Sequence, residues 1–169
     1  MIPSLFHRVL LLSFALLLIV AAPALAQDAD IVETAIEADD FNTLVAAVDS
    51  AGLASTLQGD GPFTVFAPTD DAFAALPDGE LDRLLEPANR GELSDVLNYH
   101  VVPGTAARAE DVVQIDEVET ALGAVLGIAV DGETVTLRGR NEATVVQTDI
   151  EASNGVIHVI DAVLLPPEE

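Results

Sequence analysis

Gly61-Pro62-Phe63-Thr64-Val65-Phe66-Ala67-Pro68-Thr69-Asp70-Asp71-Ala72-Phe73 compresses a strand, a break and a helix start into one short stretch. In an extended chain Phe63, Val65 and Ala67 point to one side and Thr64 and Phe66 to the other, so both sides need cover, as in a buried strand. Pro68 lacks a donor and ends the ladder. Thr69 is a good N-cap, and Asp70 and Asp71 place negative charge in a first helical turn, where the helix dipole favours it. The spacing predicts a strand to Pro68 and a helix from Asp70.

Upstream, Phe41, Leu44, Val45 and Val48 recur at helical spacing, with Asp40 placed to cap and Gly52 to stop. A shorter helix is expected over 30–38. Downstream, Pro77-Asp78-Gly79 reads as a turn, and Leu81, Leu84 and Leu85 as a helical stripe closed by Pro87. Asn89-x-x-Glu92 resembles a capping box and leads Leu93, Val96 and Leu97 onto one face. That helix runs into Tyr99-His100-Val101-Val102-Pro103-Gly104, a helix-to-strand junction followed by a turn.

The second half changes character. Val125 to Val130, an Asp131-Gly132 turn of type I′ and Thr134 to Leu137 predict a hairpin. Thr144 to Gln147 and Val156 to Leu165 are further expected strands, joined through Asn154-Gly155. Apolar residues on both faces make the last of these a central strand. A helix-rich first half and antiparallel strands in the second define an α+β domain.

Composition narrows the function classes. The 169 residues hold 29 acidic and 6 basic side chains, every basic one an arginine, for a formal charge of −23. Nucleic-acid binding needs clustered Lys and Arg on phosphates, so it is excluded as a function class. Such charge suits a salty medium, where screening relieves self-repulsion and carboxylates hold water; the alternative is an acidic composition with no tie to salt. Carboxylate oxygens also suit weak, diffuse binding of Ca²⁺ or Mg²⁺, but no Asp-x-Asp-x-Asp-Gly loop is present and no metal site or cofactor is expected. With no cysteine, disulfides and thiolate chemistry are absent.

His7 and Arg8 precede an apolar run from Val9 to Ala22, then Pro23 and Ala24-Leu25-Ala26. That pattern predicts a secretory signal peptide over 1–26, with a single domain over 27–169 and no membrane insertion once the signal is cleaved. The expected location is secreted, either extracellular or periplasmic.

Three stretches agree with one family. The opening stretch resembles the first homology motif of the fasciclin domain. Leu97-Asn98-Tyr99-His100-Val101-Val102-Pro103-Gly104 resembles its central Tyr-His segment, and Ala152-Ser153-Asn154-Gly155-Val156-Ile157-His158-Val159-Ile160-Asp161-Ala162-Val163-Leu164-Leu165-Pro166 is similar to its second motif. The resemblance spans 30–166 and implies a β-wedge or sandwich flanked by short helices. It also implies adhesion to a cell-surface or matrix protein or glycan, without catalysis. In animal members the Tyr-His segment and Asp-Ile dipeptides are linked to partner binding, which makes Tyr99, His100, Asp149 and Ile150 the candidates here. A signal peptide, a single domain and a lysine-free surface read as prokaryotic.

The motif residues Thr64, Phe66, Pro68, Thr69, Asp70, Phe73, Asn154, Gly155, His158 and Asp161 have a structural reading. His158 and Asp161 would be buried polar groups hydrogen-bonded to backbone, and Asn154-Gly155 a tight turn. Tyr99 and His100 suit a core boundary in the same way. Catalysis has no support in the motifs: no Gly-x-Ser-x-Gly, phosphate loop or His-Glu-x-x-His occurs. Adjacent pairs such as Asp39-Asp40 and Asp70-Asp71 point in different directions, unlike a glycosidase dyad. The alternative function is an extracellular or periplasmic carrier of an apolar small molecule, with Val125, Leu126, Ile128, Val130, Phe63 and Phe66 lining a groove.

Overall fold

Short helices precede and flank β1 because the sequence supplies a start or stop signal every few residues. A computed structural model describes residues 29–167, so the expected signal peptide lies outside the described residues. The first helices are α1 (Ile31–Glu37), α2 (Asn42–Ala51) and α3 (Ala54–Leu57). Asp30 and Glu33 close a reciprocal capping box on α1. Gly52, at φ 73°, ends α2 in the left-handed conformation that glycine adopts without strain.

After β1 (Phe63–Pro68) come α4 (Asp70–Ala74), α5 (Glu80–Leu85), a 3₁₀ turn at Pro87–Asn89, and α6 (Arg90–Tyr99). The Thr69 hydroxyl accepts from the Ala72 N–H at 3.2 Å, the cap expected of it. Then follow β2 (Val101–Pro103), α7 (Ala109–Val112), β3 (Glu117–Glu119), β4 (Val125–Asp131), β5 (Thr134–Arg138), β6 (Glu142–Ala152) and β7 (Gly155–Ile160).

The strands form one sheet in the order β2-β1-β7-β6-β5-β4-β3. Among the described residues β1 and β7 pair in parallel, Phe63 opposite Gly155 through Pro68 opposite Ile160, and the other neighbours are antiparallel. The first and last motifs are therefore adjacent central strands. Val65, Ala67, Ile157 and Val159 face a core closed by α1, α2, α4, α5 and α6. Phe66 and Ile160 face a second core with Val102, Leu126, Ile128, Val135 and Leu137, so the far strands curl back to cover the other side. The architecture is α+β, a mixed sheet folded into a wedge, with most of the helices on one side and the short α7 packed through Val112 on the other.

Four local expectations are corrected. Asp40 does not cap α2; Phe41 holds the N-cap position without a side-chain bond, and the capping carboxylate comes from Asp70. Asn89 and Glu92 form no capping box: the Asn89 amide donates to the Arg83 carbonyl at 2.7 Å, and Glu92 pairs with Arg83 at 2.6 Å. The hairpin turn sits one residue later than expected, with Asp131 paired to Thr134 and positive φ at Gly132 but not at Glu133. That is the pattern of type II′ rather than I′. Finally, β7 stops at Ile160, and Asp161 is exposed rather than buried.

Candidate functional site

The residues singled out by the sequence gather around two segments of backbone. The first is the connection from β2 to α7, Thr105 to Ala109. Thr64 projects from β1 toward it, donating from Oγ1 to the Thr105 carbonyl at 2.7 Å and accepting from the Ala107 N–H at 2.8 Å. His158 reaches it from β7, with Nε2 at 2.8 Å from the Ala107 carbonyl. A carbonyl can only accept, so Nε2 carries the proton and Nδ1 is the acceptor. The Asp149 N–H faces that acceptor at 3.4 Å.

Asp149 lies where β6 bulges, between Gln147 and Ile150, and takes a left-handed φ of 60°. The bulge presents its N–H to His158 and its carboxylate to the Ala109 N–H at 2.8 Å. Arg108 and Glu151 add an exposed ion pair across the same seam. Phe66 backs the assembly, its ring stacked on that of His158 with centroids 5.7 Å apart. Thr64, His158 and Asp149 thus hold one loop from three strand positions.

The second segment carries Tyr99 and His100. Both are buried, 0% and 2% exposed. The Tyr99 hydroxyl donates to the Val125 carbonyl at 3.1 Å, tying the end of α6 to β4. His100 Nδ1 donates to Val96 at 2.7 Å, and Nε2 accepts from the Leu164 N–H at 2.9 Å. Burial pushes the His100 imidazole down to about 4, against the small upward pull of the Val96 carbonyl. Burial likewise lowers His158, partly offset by the Ala107 bond and the Asp149 charge. Both rings are neutral at pH 7, with each nitrogen bonded to backbone.

The other motif residues act as pins. The Asn154 side chain accepts from the Ile31 N–H at 3.0 Å and donates to the Leu57 and Gly59 carbonyls at 2.6 and 2.9 Å. One amide thereby joins the β6–β7 turn to α1 and α3. At Gly155 an added Cβ would stand 2.2 Å from the Phe63 carbonyl oxygen, so glycine is what lets β1 and β7 approach. Asp161 accepts from the Thr144 N–H at 2.8 Å and closes the end of β6. Phe73 is buried in the helical core.

Of the partner candidates, Asp149 is exposed and Ile150 half-buried, whereas Tyr99 and His100 reach no surface. The residues expected to line a groove disperse: Leu126 and Ile128 join the closed second core, Val125 and Val130 face solvent, and Phe63 packs toward the helices. Phe66 and Ile128 do meet beside a cleft of about 370 Å³ that Val112 and Val118 also line. Sequence reading missed the roles of the Thr105, Ala107, Val96, Val125 and Leu164 backbone groups, which no side-chain pattern reveals. No helix of the described residues is long and apolar enough to cross a membrane, and none of their carboxylates and histidines cluster to hold a metal ion.

Comparison with known proteins agrees with this geometry. The family model of the Fasciclin domain matches residues 39–166. Protein sll1483 of Synechocystis sp. is 52% identical over 137 residues, covering 81% of this chain and 73% of that protein. Transforming growth factor-beta-induced protein ig-h3 of Sus scrofa is 41% identical over 127 residues, 75% of this chain but 18% of its own length. Among solved structures, a FAS1 domain pair from the insect cell adhesion molecule Fasciclin I superposes with a TM-score of 0.50 at 23% identity, covering 70% of this chain and 40% of that one.

Proposed function

The chain belongs to the fasciclin domain family, and from that premise we propose that it works by non-covalent surface contact outside the cytoplasm, adhering to a cell-surface or matrix protein or glycan. One observation carries the reading. Thr64, Tyr99, His100 and His158 spend their polar atoms on the protein's own backbone, which leaves these four motif side chains to hold the fold and makes the surface the part a partner meets.

In this proposal the contact lies on the bulged stretch of β6, where Asp149 and Ile150 are near Val146, which is 59% exposed. Tyr99 and His100 contribute from beneath by fixing the strands. One domain offers one modest interface, so firm adhesion comes from several copies acting together. A surface of charge −23 favours a neutral or basic partner.

The test is co-sedimentation of the labelled chain with envelopes and wall polysaccharide of its own host across a salt series. Saturable binding that persists at high salt, and weakens at least tenfold in Val146→Asp, is the expected result. Binding that never appears, or that needs added Ca²⁺ and fails to saturate, overturns the proposal.

A further inference from the structure

On the helical side of β1, beneath α1, α2 and α3, lies a partly open crevice of about 130 Å³. Ile31 and Ala35 of α1, Val45 and Val48 of α2, Leu57 of α3 and Phe63 of β1 form its walls. The chain explains why this space stays unfilled. Aromatic residues make up 4% of the sequence, with no Trp and one Met, so few side chains are long enough to plug a gap between helices.

The helices cannot close over the gap either, because polar pins fix their ends. Asn154 holds the start of α1 and the end of α3 to the β6–β7 turn, and Asp70 holds the first turn of α2. Collapse of the crevice would break these part-buried bonds at a cost in free energy. The packing is thus set from the rim, not from the centre.

The lining also defines the chemistry of an occupant. Among the described residues no buried side-chain nitrogen or oxygen lacks a hydrogen-bond partner, and the His100 ring at the crevice wall has both nitrogens engaged. Of the lining side chains only Thr56, Asn98 and His100 are polar, so a hydroxyl or carboxylate entering here would leave water for few partners. The protein's charge of −23 disfavours anions further, fatty carboxylates included. Apolar cavities of roughly 150 Å³ stay dry and take up benzene.

We propose that this crevice is a binding site for a compact, uncharged hydrocarbon of single-ring size, a role separate from the adhesive surface on β6. The occupant enters from the open side, and its contacts are predominantly dispersive.

The experiment titrates toluene into the full chain carrying ¹³C-labelled methyl groups, with hexanoate as the anionic counterpart. The expected result is saturable shifts at Ile31, Val45, Val48 and Leu57 with toluene and none with hexanoate. Val45→Phe and Ala35→Leu, which fill the space, should each weaken toluene binding at least tenfold. Absence of saturable shifts, shifts confined to other methyls, equal binding of hexanoate, or unchanged affinity in either folded variant would each overturn the proposal. If both variants fail to fold, the methyl map of the unaltered chain decides alone.

Discussion

The carboxylate of Asp70 accepts the backbone N–H of Thr43 at 2.7 Å, so the first residue of one helix caps the first turn of another. The same carboxylate accepts from the Asn42 amide at 3.2 Å, and the Asp70 N–H donates to the Asp40 carbonyl at 2.9 Å. Desolvation would raise the Asp70 pKa, but these bonds from Thr43 and Asn42 outweigh it and hold the group below its ordinary value. Asp70→Ala should cost about 1–2 kcal/mol, the range of a lost N-cap. Urea denaturation measures it, and Asp70→Asn should recover part of the loss. An Asp40→Ala variant, which removes the cap the sequence pointed to, should change stability by less than about 0.5 kcal/mol.

Acid should unfold the protein in a window set by its histidines. His100 is bonded in its neutral form, with a folded pKa near 4 against an unfolded value of 6.5. The unfolded chain therefore binds the extra proton first, and stability falls as pH drops from 6.5 toward 4. The loss from His100 alone is on the order of 3 kcal/mol, and His158, lowered for the same reason, adds to it. Asp70, whose folded pKa is lowered, gives up its stabilisation only as pH falls below the ordinary carboxylate range. Denaturation midpoints at pH 7, 5.5 and 4.5 check the slope. A flat profile between pH 7 and 4.5 would show that the two rings titrate freely in the folded state.

Thr64 links β1 to the loop it must hold. Thr64→Val keeps the shape but removes the acceptor for the buried Ala107 N–H and the donor to Thr105, at an expected cost of about 2–3 kcal/mol. Thr64→Ser should restore most of it. Amide exchange at Ala107 is the direct measure, accelerated in the valine variant and slow in the serine one.

Gly155→Ala should be more damaging than either change. The new methyl would stand 2.2 Å from the Phe63 carbonyl oxygen, within a ladder that cannot widen without losing the parallel pairing of β1 and β7. The expected outcome is a loss above about 3 kcal/mol, read as a lowered thermal midpoint or failure to accumulate as folded protein.

These outcomes follow how far each feature could be read along the chain. The strand, break and helix of Phe63 to Ala74 were legible because alternation, Pro68 and the Thr69 cap act over neighbouring residues. The stop at Gly52 was legible for the same reason. Asp40 was misread because a carboxylate 30 positions on wins the site by tertiary placement. The hairpin turn slipped by one residue because Gly132 can supply the positive φ at either central position. At the site, the polar residue types were visible in the motifs, whereas the depth of Tyr99 and His100 depended on how the sheet curls. Their acceptors, carbonyls of Val125 and Val96, carry no side-chain mark at all.

The parallel ladder also sets the order in which the molecule can be made. β1 cannot find its central neighbour until β7 exists, and the two are separated by most of the domain. Such pairing must overcome a large loop-closure entropy before any contact rewards it, which slows folding. A chain emerging from its N-terminus therefore stays open until its last motif arrives. Loss of the segment from Gly155 onward should abolish the fold as a whole rather than shorten it.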